Sequence, residues 1–322
     1  MYQEYAIDPT TICGSFDRFK LFWNGLGYHE GRLLSRFPGS WEKRVVKSRA
    51  YKDLPDGLRK KAIEESLAKE TKEKRRSIHS GRSFDSNTPS WLEEAERAHI
   101  TLPFQGIIAD ENPRELQEVS CFNDIGETGD CWEMPRPWQI TRYHKDMTFA
   151  AAPLLRTSRE ILFIEPYFDF QPRFTRPLQS FLSVLAPYAK AVRRIEVHLK
   201  HWDRESNDEL FIQNFKRRGA LSLGKSSTGN EVRALIEKLD FIIWESPSGS
   251  NGMHPRYILT EISGLGFENG LDESDDGDGI TDVFIISGAS LHIRWKEFQE
   301  ATSTRRLIGR IQARDLNLVN FV

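Results

Sequence analysis

The segment Glu160-Ile-Leu-Phe-Ile-Glu-Pro-Tyr-Phe168 constrains the fold of this chain most, because an apolar run bounded by charges reads as a buried parallel strand. More such runs follow at α/β spacing. Arg193–Lys200 alternates with period two and Leu239–Glu245 is another apolar strand, while Pro177–Leu185 and Glu231–Lys238 carry helical periodicity between them. Strand, helix, strand, helix, strand implies crossover connections and a mostly parallel mixed sheet with flanking helices. The last third adds strands at Arg256–Thr260 and Asp282–Ser287 and a helix around Trp295–Ala301.

The preceding residues have a different texture. They read as mainly helical, broken by Pro and Gly and rich in tryptophan (Trp23, Trp41, Trp91, Trp132, Trp138), with no segment that reads as a sheet. A chain of 322 residues suits two domains. The expected division is 1–150, a helical domain for target or partner recognition, and 151–322, the α/β domain.

Charge limits the partners. Forty-five Lys and Arg against 47 Asp and Glu leave a net charge of −2, so binding of a polyanion has to be local. One local excess exists: Gly57–Arg82 holds nine Lys or Arg against four Glu, and Lys74, Arg75 and Arg76 form its densest part. That cluster suits either a solvated helix face with its loop or contact with phosphates. The acidic opening Met1–Asp8 is unlike a secretory leader, and Cys13, Cys121 and Cys131 form no C-x-x-C pair, which together predict a cytoplasmic protein without a zinc knuckle. Apolar stretches stay well short of the ~20 residues that cross a bilayer.

Chemistry concentrates at His254-Pro-Arg256-Tyr-Ile-Leu-Thr-Glu261, followed by the glycine-rich turn Gly264-Leu-Gly-Phe. Alternation along a strand sends His254 and Arg256 to one face. An imidazole that is a fair nucleophile near neutral pH can then share a phosphate with a bidentate guanidinium. The triplet fits H-x-K-x(4)-D with Arg for Lys and Glu for Asp, and it resembles the phospholipase D superfamily over about half the chain, 158–322.

The resemblance implies a metal-independent phosphodiesterase, as a nuclease of a prokaryotic genome-defence system, working through a phosphohistidine. His254 would be the nucleophile, Arg256 the phosphate clamp, and Glu261 the carboxylate that supports the hydrogen bonds of the site. This sequence carries one good copy of the motif where the family's site uses two, so activity implies a homodimer with two His254 face to face. The alternative is a catalytically degenerate phospholipase D-like module that binds nucleic acid, phospholipid or a protein partner within a larger assembly.

A second match, His198-Leu-Lys200, lies too close to His254 for a duplicated half-domain, yet it falls where open α/β sheets take ligands. His198 and Lys200 are therefore candidate substrate-binding residues beside Lys74, Arg75 and Arg76. Asp272, Ser274, Asp276 and Gly277 mimic the start of a calcium loop, but Val283 occupies the position that needs a bidentate Glu. The acidic stretch reads as a solvated insertion that would repel nucleic acid. Gly224-Lys-Ser-Ser is too short for a nucleotide loop, and neither a metal nor a cofactor is expected.

Overall fold

The chain divides between Arg136 and Pro137 in a computed structural model that describes residues 2–88, 90–125, 131–132, 137–201, 207–222, 230–245, 253–275 and 278–316. The boundary therefore precedes the expected one near residue 150. Trp138–Thr141 is the reason: it pairs as a strand with Ile280–Ile286 and belongs to the second unit.

The first unit contains β1 (Gln3–Ile7), α1 (Phe16–Gly25), β2 (Arg32–Arg36), α2 (Trp41–Lys47), α3 (Arg49–Lys52), α4 (Leu58–Glu73), β3 (Ser77–His79), α5 (Trp91–Thr101), β4 (Gly106–Ala109) and β5 (Val119–Cys121). Helices hold more residues than strands, as expected. The organising element is nevertheless a five-stranded sheet of order β3-β2-β1-β4-β5, every pair parallel, where the sequence reading expected none. Alternation on β1 sends Tyr5 and Ile7 into one core with Phe22, Trp41 and Ile63, and Ala6 into a second with Phe37, Leu92 and Ile107. Helices are started by serines: Ser15 Oγ accepts the Arg18 N–H at 3.0 Å, and Ser90 Oγ that of Glu93.

The second unit is α/β. It comprises β6 (Trp138–Thr141), α6 (His144–Thr157), β7 (Glu160–Ile164), α7 (Pro172–Leu185), β8 (Arg194–Lys200), α8 (Asp208–Ser222), α9 (Asn230–Ile236), β9 (Leu239–Trp244), β10 (Tyr257–Thr260), β11 (Gly264–Phe267), β12 (Ile280–Ile286), α10 (Gly288–Glu297) and β13 (Leu307–Gln312). The eight strands lie in the order β13-β9-β8-β7-β10-β11-β12-β6. Strands β7, β8 and β9 are parallel and joined by α7 and by α8 and α9, as the alternating pattern predicts. The flanks are antiparallel, so the sheet is mixed but not mostly parallel: hairpin-type connections carry β10 to β11 and on to β12. The helix expected around Trp295–Ala301 runs earlier, as α10.

One pairing decides where the site residues fall. Strand β10 runs antiparallel to β7, with Tyr257 opposite Ile164 and Thr260 opposite Ile161. Residues just before β10 therefore lie at the carboxyl end of β7, and residues just after it lie at the amino end.

Candidate functional site

That register separates the expected triplet. His254 and Arg256 precede β10 and sit at the carboxyl edge of the parallel strands, whereas Glu261 follows it. The Glu261 carboxylate accepts the backbone N–H groups of Arg159 at 2.7 Å and Glu160 at 3.1 Å, at the opening of β7. Four strand residues, about 13 Å of extended chain, lie between Arg256 and Glu261. Glu261 does not support the hydrogen bonds of His254 and Arg256; it closes the opposite end of the sheet.

At the carboxyl edge, the Lys200 ammonium lies 4.0 Å from the centroid of the Tyr167 ring, and the Arg256 guanidinium carbon lies 5.8 Å from the same centroid. Lys200 is buried at 6% exposure, and its backbone N–H donates to the Pro166 carbonyl at 3.1 Å. Arg256 is half-buried, and its Nε is enclosed without a hydrogen-bond partner. Neither cation has an ion pair among the described residues. His254 is exposed, as is part of Tyr167, at 41%. The arrangement is two cations against one aromatic ring, with an imidazole at the rim.

A carboxyl group lies beneath. Glu165 is buried at the end of β7, and its oxygens accept the N–H groups of Leu271 at 2.9 Å and Tyr167 at 3.3 Å. Burial pushes its carboxyl above the ordinary range and Asp272 adds to the rise, while the two N–H groups and Arg256 pull the other way. Glu165 and Tyr167 stand outside the motif. The signal present was a charge followed by Pro at the carboxyl end of the first parallel strand, where open sheets bind ligands.

His198 is different. It is fully buried, its Nδ1 accepts the Trp244 indole N–H at 2.9 Å, and its Nε2–H donates to Glu196 at 3.1 Å. The hydrogen bond at Nδ1 sets the neutral tautomer, and burial pushes its pKa below the usual value. His198 is a core residue and not a substrate ligand, because the period that sends Lys200 to the edge leaves it two residues inside the sheet.

Lys74, Arg75 and Arg76 belong to the first unit, where they lead α4 into β3. Lys74 adopts the left-handed conformation (φ 50°) at the end of α4, and its N–H bonds Glu70 O at 2.9 Å. Arg75 pairs with Glu73 at 3.2 Å, and Arg76 Nε donates to the Trp23 carbonyl at 3.0 Å. Lys74 and Arg75 remain exposed.

The acidic stretch is not a solvated insertion at its start. Asp272 and Glu273 are buried; Asp272 holds Arg142 at 2.6 Å, and Glu273 holds His144 at 2.5 Å and Arg176 at 3.2 Å. These acids are engaged locally by His144 of α6, Arg176 of α7 and Arg142 before α6. Asp276 and Gly277 of the calcium-like spacing, and Gly224–Ser227, lie outside the described residues. Among the described residues no group of three or more His, Cys, Asp or Glu is gathered to hold a metal ion, and no helix is long and apolar enough to cross a membrane.

No protein-family model matches the chain, and neither does a curated protein. Similar solved structures include phosphatidylserine synthase of Haemophilus influenzae Rd KW20, 13% identical with a TM-score of 0.33 over 54% of this chain and 41% of that one. Another is TrmBL2, an archaeal chromatin protein that shows a novel mode of DNA binding, 13% identical with a TM-score of 0.27 over 52% of this chain and 53% of that one. The chain thus spans about half of each or less. At such TM-scores the two likenesses carry no argument about activity.

Proposed function

We propose that the second unit is a phospholipase D-like module that binds the phosphate backbone of a single-stranded nucleic acid at the carboxyl edge of its sheet. The observation that carries this reading is the pair of cations, Lys200 and Arg256, held against the Tyr167 ring without a carboxylate in ion-pair contact among the described residues. A buried cation without an ion-pair partner is costly, and an anion bound beside it offsets that cost. A partly exposed tyrosine beside two cations suits stacking of a base next to its phosphate, a combination that tolerates any sequence. The arrangement also meets the requirement that a chain of net charge −2 bind a polyanion locally.

The test is fluorescence anisotropy with short labelled DNA and RNA strands across a salt series. Arg256→Ala is expected to weaken binding by about tenfold and to reduce the salt slope by about one. Unchanged binding in that variant, with a far-ultraviolet spectrum like the wild type, overturns the reading.

Hydrolysis is the second reading, favoured by one observation: His254 is exposed and hydrogen-bonds to nothing among the described residues. In that reaction the imidazole bonds to phosphorus as the ester P–O bond breaks. A second His254, from a partner copy, protonates the leaving oxygen, and water then releases the phosphate. Cutting in EDTA that disappears in His254→Ala supports it, and binding without cutting leaves the module as a reader. The genome-defence setting and the dimer rest on the family resemblance.

A further inference from the structure

The first unit has a cavity of about 500 Å³ whose walls include Asp8, Thr10, Lys43, Arg44, Lys47 and Trp91. Its place follows from topology. The order β3-β2-β1-β4-β5 steps outward from β1 in one direction and then restarts at β4 on the other side, so β1 and β4 flank the point where the strand order reverses. Asp8 lies there, directly after β1, with its N–H on the Ile108 carbonyl of β4 at 2.9 Å. The carboxyl side of such a reversal is where open parallel sheets take ligands.

Helix α2 brings the charge. The buried Trp41 indole N–H donates to the Ile7 carbonyl at 2.6 Å and ties the start of α2 to the end of β1. Trp41 and Val45 face the core. The opposite face carries Lys43, Arg44 and Lys47, and Lys43 and Lys47 are one turn apart. The single acid of α2, Glu42, is already taken by Arg36 at 2.9 Å. None of the three cations has an ion pair among the described residues, and Arg44 is steadied over the Phe84 ring at 4.5 Å. The helix dipole accounts for cations in a last turn. It does not account for three of them along the wall of a cavity that also presents an indole and a carboxyl.

We propose that this cavity is a second binding site, for a nucleoside phosphate. Lys43, Arg44 and Lys47 hold the phosphate, the Trp91 indole meets the base, and Asp8 and the Thr10 hydroxyl meet the sugar. Trp91 is pre-set for that part, since its Nε1–H donates to the Phe37 carbonyl at 3.0 Å and fixes the ring in the wall. The volume is within the range of small-molecule sites, roughly 300–1,000 Å³.

Isothermal titration calorimetry on the full chain tests this with the 5′-phosphates of adenosine, guanosine, cytidine and uridine, with the four nucleosides, and with inorganic phosphate. At least one nucleoside phosphate is expected to bind, more tightly than its nucleoside and than inorganic phosphate. The exposed pair Lys43→Ala and Lys47→Ala, made together, weakens it by about tenfold or more, and Trp91→Leu weakens the nucleoside phosphate but not inorganic phosphate. The same titrations are run in Arg256→Ala, where heat from the edge of the second unit is reduced, so that the loss in the double lysine variant is read at this site. Three results overturn the proposal: no heat with any nucleoside phosphate, equal binding of inorganic phosphate, or binding that survives the double lysine variant.

Discussion

Replacing His198 by Leu tests whether this residue is core or ligand. The substitution leaves the Trp244 indole N–H without its acceptor and removes one donor from Glu196, which keeps Arg310 at 3.3 Å and Arg194 at 3.6 Å. An orphaned buried donor and a weakened buried charge each cost about 1–3 kcal/mol, so a loss of about 2–6 kcal/mol is expected, a large share of a domain's stability. Urea unfolding followed by fluorescence measures it. A pH signature accompanies the loss. Folding lowers the His198 pKa, so its contribution is complete above the unfolded value of about 6.5 and is lost as pH falls toward the folded one. The gap between wild type and His198→Leu therefore narrows on acidification. At neutral pH the folded variant binds oligonucleotide as the wild type does. A variant of unchanged stability that loses oligonucleotide binding refutes the reasoning and returns His198 to the ligand set.

Two further predictions concern the same sheet. Glu165 has a raised folded pKa, so its contribution is present below the unfolded carboxyl value and is lost as pH rises through the folded one; Glu165→Gln gains on the wild type in urea midpoint as pH rises above the ordinary carboxyl range. A wild type that gains on the variant over that rise contradicts the burial argument. At Gly264 an added Cβ would lie 2.8 Å from Leu259 Cδ2 and 3.3 Å from the Ile258 carbonyl oxygen, so Gly264→Ala is expected to cost about 1–3 kcal/mol by thermal unfolding. No loss there would mean that the β10–β11 hairpin yields more easily than a packed sheet does.

Legibility in the sequence followed strand length and burial. β7, β8 and β9 carry apolar runs long enough to stand out against their charged neighbours, and the alternation of strand and helix gave their parallel pairing. The strands of the first unit are short and broken by polar residues, as in Arg-Leu-Leu-Ser-Arg, Ser-Ile-His and Val-Ser-Cys, and their helices dominate the local pattern. The parallel sheet there emerges only when the strands find one another across the chain. At the candidate site, Lys200 could be placed by period and by its strand end, and His254 and Arg256 by their position before a strand. Glu261 could not, because its destination depends on β10 pairing with β7 in the antiparallel sense, a relation between residues about a hundred positions apart. Tyr167 went unnoticed for a related reason: the two cations reach its ring from different strands.

The position of Glu261 affects how such triplets are read in other chains. An acid at that point satisfies two main-chain amides whether or not the protein turns anything over, so folding alone is enough to keep the final letter of the pattern in place. A search for the three letters would accept this chain on the strength of a structural peg.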